Sequence, residues 1–156
     1  MKTTRPSPSS LEDIATITPT FILGMALILA GASIRFLCFR EMGVHFTFQI
    51  SLREKHKLVR TGPYSIVRHP AYTGGHMTIL GGLLTLTGHG SWLYCGAGYS
   101  EKIGRVLCGN YCASVMVLAY ALLRGAKEDV YLRREFEEEW EEWARDVPYM
   151  YIPFVV

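Results

Sequence analysis

The segment IATITPTFILGMALILAGASI, from Ile14 to Ile34, contains no Asp, Glu, Lys or Arg. Two more stretches share that property, Pro70 to Ser100 and Val106 to Leu123. A helix needs about 20 apolar residues to cross the hydrocarbon core of a bilayer, and each window holds one such helix. A helix lying on a soluble core would bring a charge round at every turn, which these windows do not. The pattern therefore predicts an all-α polytopic membrane bundle of about three transmembrane helices, at 19–39, 72–94 and 103–123. Apolar residues make up 49% of the 156-residue chain and charged residues 19%, against roughly 25% charged in soluble domains. The Ser/Pro/Thr-rich residues 1–13 are expected to be disordered, and 14–156 to form one membrane domain. The first span lies too far along the chain for a secretory leader, so it is expected to remain in the protein.

Charge placement sets the expected topology. The connection from Arg35 to Arg68 carries Arg35, Arg40, Arg53, Lys55, Lys57, Arg60 and Arg68 against two glutamates, whereas Lys102 and Arg105 are the only bases in the second connection. The positive-inside rule puts the first loop in the cytoplasm, and three spans return the C-terminal tail to the same side. Within the second span, Gly74, Gly75, Gly81 and Gly82 favour close helix approach, so that helix is expected at the packed centre. The tail 127–146 reads as an amphipathic helix with Leu132, Phe136, Trp140 and Trp143 near one stripe and glutamates around it. Those tryptophans suit either a membrane interface or a helix that caps the bundle. Val147-Pro148 ends the helix. With a net charge of only +2 no nucleic-acid partner is expected; the bilayer is the expected environment. Cys38, Cys95, Cys108 and Cys112 lie in or beside the spans without zinc-site spacing, so no metal is expected.

Two constellations carry chemistry. The first loop reads His56-Lys57-Leu58-Val59-Arg60-Thr61-Gly62-Pro63-Tyr64, then Arg68-His69-Pro70-Ala71-Tyr72-Thr73-Gly74. Gly62-Pro63 signals a turn, and the proline after His69 holds that residue extended where the second span begins. Histidines, tyrosines and an arginine thus meet at a membrane boundary. The second constellation is Arg124 and Glu128, one helical turn apart at the end of the third span. By itself such a pair is a surface ion pair worth a few tenths of a kcal/mol, but ionisable groups at a membrane-facing helix end are candidates for function.

The string H-x-L-V-x-x-G-x-Y-x-x-x-R-H-P-x-Y-x-G, His56 to Gly74, resembles the signature of the isoprenylcysteine carboxyl methyltransferase family. Arg124, Glu128, Leu132, Phe136, Val147-Pro148 and Ile152-Pro153 are similar to that family's tail pattern. The two stretches, Gln49–Gly74 and Arg124–Pro153, cover about a third of the chain. The resemblance implies that Gln49, His56, Lys57, Leu58, Val59, Tyr64, His69, Pro70, Ala71, Tyr72 and Glu128 bind S-adenosyl-L-methionine, the cytoplasmic loop and tail helix forming the cofactor site. It implies that Arg124 is the catalytic, substrate-binding residue, holding the carboxylate of a prenylated cysteine at the end of a processed CaaX protein. It also implies a multi-pass protein of the endoplasmic reticulum membrane with its site facing the cytoplasm. Such a carboxylate is ionised at pH 7 and needs no general base, while a guanidinium grips it bidentately.

The chain departs from the pattern in three respects, one being Gly90–Arg105, a segment rich in glycine and polar residues that matches no motif of the family. Only one apolar span precedes the first motif where the family usually has more, so a shortened paralogue of fungal type is expected. The glycine that follows the tail phenylalanine is Glu137 here, a change expected to alter a turn or extend the helix. Two other readings stay open at this point: a phospholipid N-methyltransferase sharing the cofactor side, and a non-catalytic membrane adaptor of the same fold.

Overall fold

The computed structural model describes residues 16–43, 58–88, 91 and 101–155. Among them there are helices and no strand: α1 (Pro19–Met42), a 3-10 turn (Gly62–Ser65), α2 (Pro70–Thr87) and α3 (Glu101–Asp146). Local chemistry places the starts. The Thr18 hydroxyl accepts a hydrogen bond from the Phe21 N–H at 3.2 Å, and Pro19 occupies the first helical position, where its missing N–H costs nothing. Pro70 does the same for α2. Gly43, at φ 49°, ends α1 in a conformation open to glycine.

α1 and α2 run antiparallel and touch backbone to backbone. Gly24 faces Gly81, and Gly31 faces Gly74, each pair seven residues from the next along both helices. A Cβ on Gly24 would stand 2.8 Å from the Gly81 carbonyl oxygen, and one on Gly74 would stand 2.7 Å from that of Gly31. No flexible side chain can yield there, because the obstacle is main chain. Small residues allow this approach in lipid, where packing replaces the hydrophobic effect as the force between helices. Thr78 returns its hydroxyl to the Gly74 carbonyl at 2.9 Å and lines the contact, its Oγ1 2.6 Å from where a Cβ on Gly31 would stand. At the polar end, Arg35 donates to the Ala71 carbonyl at 3.1 Å and lies over the Phe39 ring.

Among the described residues two helices are long and apolar enough to cross a membrane, α1 and α3 from Gly104 onward. The middle one of the three expected spans is shorter than anticipated. α2 has 18 residues, a rise of about 27 Å against a core of about 30 Å, and its expected continuation to 94 falls largely outside the described residues. The apolar window of α3 is unburied, with Met116, Tyr120 and Leu123 all more than 60% exposed. His76 of α2 links to it: Nε2 lies 3.1 Å from the Leu118 carbonyl oxygen and Nδ1 2.6 Å from that of Tyr72.

The expected third span and tail helix form one element, broken at Glu137 (φ 42°, ψ −111°) rather than at 123–127. Glutamate thus adopts a conformation that glycine enters freely and L residues reach only at a cost of about 1–3 kcal/mol. The helix is turned there and not extended, so of the two effects expected from Glu137 the structure shows an altered turn. Beyond it, Trp140 and Trp143 are 9% and 3% exposed and pack with Cys38, Tyr64 and Val147. Of the two roles open to the tryptophans, the cap is the one observed. Trp143 donates Nε1–H to the Tyr64 carbonyl at 3.1 Å, which satisfies its one polar group inside the cluster.

Gly31→Leu is expected to separate α1 from α2 and cost about 3 kcal/mol or more, read as a lowered melting temperature in detergent. Glu137→Gly is expected to raise stability by about 1 kcal/mol, the strain relieved less the entropy that glycine loses, in the same melting experiment.

Candidate functional site

The two motif segments, some sixty residues apart in the chain, meet where α2 begins. Arg68 and His69, the two residues before Pro70, face the middle of α3; His69 has φ −124° and ψ 58°, short of the extended conformation expected before a proline. Arg68 Nε donates to Asp129 Oδ2 at 3.0 Å, and His69 Nε2 lies 2.9 Å from Asp129 Oδ1. One turn into α2, the Tyr72 hydroxyl donates to Glu128 Oε2 at 2.9 Å. Arg124 is hydrogen-bonded to the same phenol. The i,i+4 spacing of Arg124 and Glu128 therefore places both on the α3 face toward Tyr72. They are half-buried and bridged by a tyrosine of the first motif, which distinguishes them from a plain surface pair.

The segment after α3 closes the arrangement. Residues 147–151 lie along the Arg68–His69 backbone, with the Arg68 N–H donating to the Tyr149 carbonyl at 2.9 Å and the His69 N–H to that of Met150 at 2.8 Å. Arg68 Nη1 donates to the Val147 and Pro148 carbonyls at 2.9 and 2.8 Å. Thr73 donates to the Tyr151 carbonyl at 2.7 Å, and the Tyr151 hydroxyl to that of Leu122 at 2.6 Å. Gly125 leaves room for the Tyr151 ring; a Cβ there would collide with its hydroxyl. Burial, reinforced by the Asp129 and Glu128 charges, raises the Tyr151 phenol above its usual range. Burial also raises the Tyr64 phenol, with the neighbouring Cys38 thiol and the Glu128 carboxylate adding to it. Both phenols stay protonated at neutral pH.

Of the residues expected in the cofactor pocket, Tyr64, His69, Pro70, Ala71, Tyr72 and Glu128 gather around this junction, with Arg124 beside them. Pro70 is buried as the first residue of α2, and Ala71 packs against the Trp cluster while its carbonyl accepts from Arg35. Leu58 and Val59 pack on that same cluster, on its apolar side. The Tyr64 hydroxyl is directed to Met42 Sδ at 2.9 Å, so the ring acts as wall. Gln49, His56 and Lys57 lie outside the described residues. Two groups at the junction have no role in the motif-based expectation, Asp129 and the guanidinium of Arg68. Their signal was present: Asp129 directly follows Glu128, and a second acid beside a site acid invites a search for a second base.

Comparison with known proteins follows the same lines. Residues 19–97, half of the chain, match the family model of phospholipid methyltransferases, and the chain belongs to that family. Its curated relatives include protein-S-isoprenylcysteine O-methyltransferase B of Arabidopsis thaliana, 29% identical over 137 residues, which cover 85% of this chain and 58% of that protein. Probable protein-S-isoprenylcysteine O-methyltransferases of Oryza sativa, subspecies indica and japonica, are each 25% identical over 142 residues, 85% of this chain and 61% of theirs. The chain thus spans about three fifths of the length of these relatives. No solved structure matches. The resemblance drawn from the two motifs holds at the level of family, and with the two apolar helices it marks a membrane protein.

Arg68→Ala is expected to leave Asp129 as a buried charge facing only His69 and to release residues 147–151. A loss of about 3 kcal/mol is expected in thermal unfolding, with new protease cleavage after α3 in the native state.

Proposed function

We propose that the chain transfers a methyl group from S-adenosyl-L-methionine to the C-terminal carboxylate of a prenylated cysteine in CaaX-processed proteins. The observation that carries this reading is the bridge from Arg124 through the Tyr72 hydroxyl to Glu128, which joins the two motifs at one junction. The donor set there suits the cofactor. Glu128 offers a carboxylate to an ammonium or ribose hydroxyls, and Tyr64, Tyr72 and Tyr151 lie close enough to feel its charge. Aromatic faces beside a carboxylate favour a cation, as a sulfonium is. When bound, the cofactor supplies an electrophilic methyl carried on that sulfonium.

The chain's own residues have a limited task. The acceptor carboxylate is an anion at pH 7, so binding and orientation remain, and Arg124 is the group for both. A cation beside the acceptor favours a carboxylate over the amine of a phospholipid, which supports the first reading above N-methylation. Anion and sulfonium give neutral products, so partial exclusion of water assists the step, and the Trp140–Trp143 cap and the 147–151 strap cover the junction on its polar side. The acceptor's lipid can arrive from the bilayer beside the apolar part of α3. We place the site on the cytoplasmic side of the endoplasmic reticulum membrane, on the strength of the basic first loop and the family resemblance.

Protein purified in detergent or lipid is expected to move label from methyl-labelled S-adenosyl-L-methionine to N-acetyl-S-farnesylcysteine. Label on phosphatidylethanolamine instead would replace this reading with the phospholipid one, and failure to bind the cofactor would indicate an adaptor. Arg124→Ala is expected to raise the acceptor KM at least tenfold, the loss of a charge-assisted hydrogen bond worth about 1.5–3 kcal/mol, with cofactor affinity little changed. Glu128→Ala is expected to do the reverse. Small, equal effects from the two would leave only an ion pair.

A further inference from the structure

Asp129 is 6% exposed, and His69 is 4% exposed. His69 is the N-cap residue of α2, yet its side chain makes no capping hydrogen bond; its ring is turned to Asp129 instead. An ionised carboxylate only accepts hydrogen bonds. The 2.9 Å contact between Asp129 Oδ1 and His69 Nε2 therefore needs the hydrogen on Nε2. In a neutral imidazole the other nitrogen, Nδ1, then holds a lone pair and accepts. The second oxygen of Asp129 is engaged by Arg68 Nε at 3.0 Å, so the carboxylate cannot turn away from its role. Arg68 in turn is fastened to the Val147 and Pro148 carbonyls. The ring lies between those of Tyr72 and Tyr151, with centroids 5.7 and 5.8 Å away. Among the described residues none bonds to Nδ1.

We propose that Asp129 is a positioning residue that locks His69 in the Nε2–H tautomer, presenting Nδ1 as an acceptor for an N–H or O–H group of the cofactor. This rests on the cofactor reading above. Donors of that kind on an adenosyl amino acid are its ammonium, its ribose hydroxyls and its exocyclic amine. Asp129 itself touches none of them and acts only through the imidazole. A carboxylate that fixes the tautomer of a working histidine is a general device, because the nitrogen left unprotonated is decided by the bond the other one makes. The arrangement also accounts for an acid that reading by motif had left without a task.

The test uses the full chain in lipid nanodiscs, labelled with 15N-histidine, with the His69 signals identified by their loss in His69→Gln. The expected spectrum has an unprotonated Nδ1 and a protonated Nε2 at His69. In Asp129→Asn the amide oxygen is drawn to Arg68 and the NH2 group faces Nε2, so the tautomer is expected to invert and S-adenosyl-L-methionine affinity to fall about tenfold. Asp129→Glu is expected to keep the wild-type tautomer and most of the affinity, a distinction that a merely structural role would not produce. A wild-type His69 protonated on Nδ1, or on both nitrogens, would overturn the proposal even if the variants fail to fold. An inverted tautomer with unchanged affinity would overturn the part assigned to Nδ1. The expected wild-type tautomer in a chain that binds no S-adenosyl-L-methionine would sink the cofactor reading and with it the role of Nδ1, leaving the Asp129 lock standing.

Discussion

A buried carboxylate must find partners, and the pairing that Asp129 finds organises the polar end of this molecule. Its two oxygens take Arg68 and His69, consecutive residues of the turn into α2. Two contacts from one rigid dipeptide fix both the height and the rotation of α2 against α3. Helix geometry does the rest: three residues on from His69, Tyr72 is carried to Glu128, the neighbour of Asp129, and Arg124 follows one turn away on the same face. The same guanidinium that meets Asp129 also holds the carbonyls of Val147 and Pro148. Three stretches of chain thereby converge through one charge. Their alignment depends on Asp129 remaining ionised and paired, since an unpaired charge at that depth would be strongly destabilising.

The opposite end follows different physics. α1 and α2 hold each other by backbone contact at four glycines, while the apolar window of α3 keeps most of its side chains to the outside. In a bilayer such side chains lose nothing by facing lipid, which is as apolar as they are. One tight helix pair and one loosely attached helix are joined firmly only where water begins. The polar end therefore determines the geometry of the whole bundle, and the apolar end tolerates separation between α2 and α3.

The sequence pattern was informative where a single residue type settles the matter. Charge-free windows marked α1 and the apolar part of α3, Pro70 marked the start of α2, and Gly62-Pro63 marked the 3-10 turn. The packing role of Gly74 and Gly81 followed from size alone. Features set by partners distant in the chain were hidden. Asp129 looked like one of many acids in α3 until Arg68 and His69 stood beside it. The pairing of residues 147–151 with the turn before α2 uses main-chain groups, which every residue possesses and none advertises. The break in α3 was visible only as a glutamate in the place of a glycine: Glu137 sits in a run of strong helix formers, and tertiary contacts at Trp143, Arg60 and Arg68 hold a bend its own residues do not favour. Trp140 and Trp143 were read correctly as one apolar stripe, but a stripe does not say whether lipid or protein covers it.

The strap formed by residues 147–151 bears on how the protein comes into being. Its hydrogen bonds to Arg68, His69 and Thr73 join segments about eighty residues apart. The glycine-lined pair of α1 and α2 can associate as soon as both have been synthesised, because every group it needs is then present. The junction of His69, Tyr72, Glu128 and Arg124 has no such early option. While the tail is still in the ribosome, the carbonyls that hold Arg68 are out of its reach. Pairing of α1 with α2 and assembly of the junction are therefore separate events in time, the second waiting for residues 147–151 to emerge.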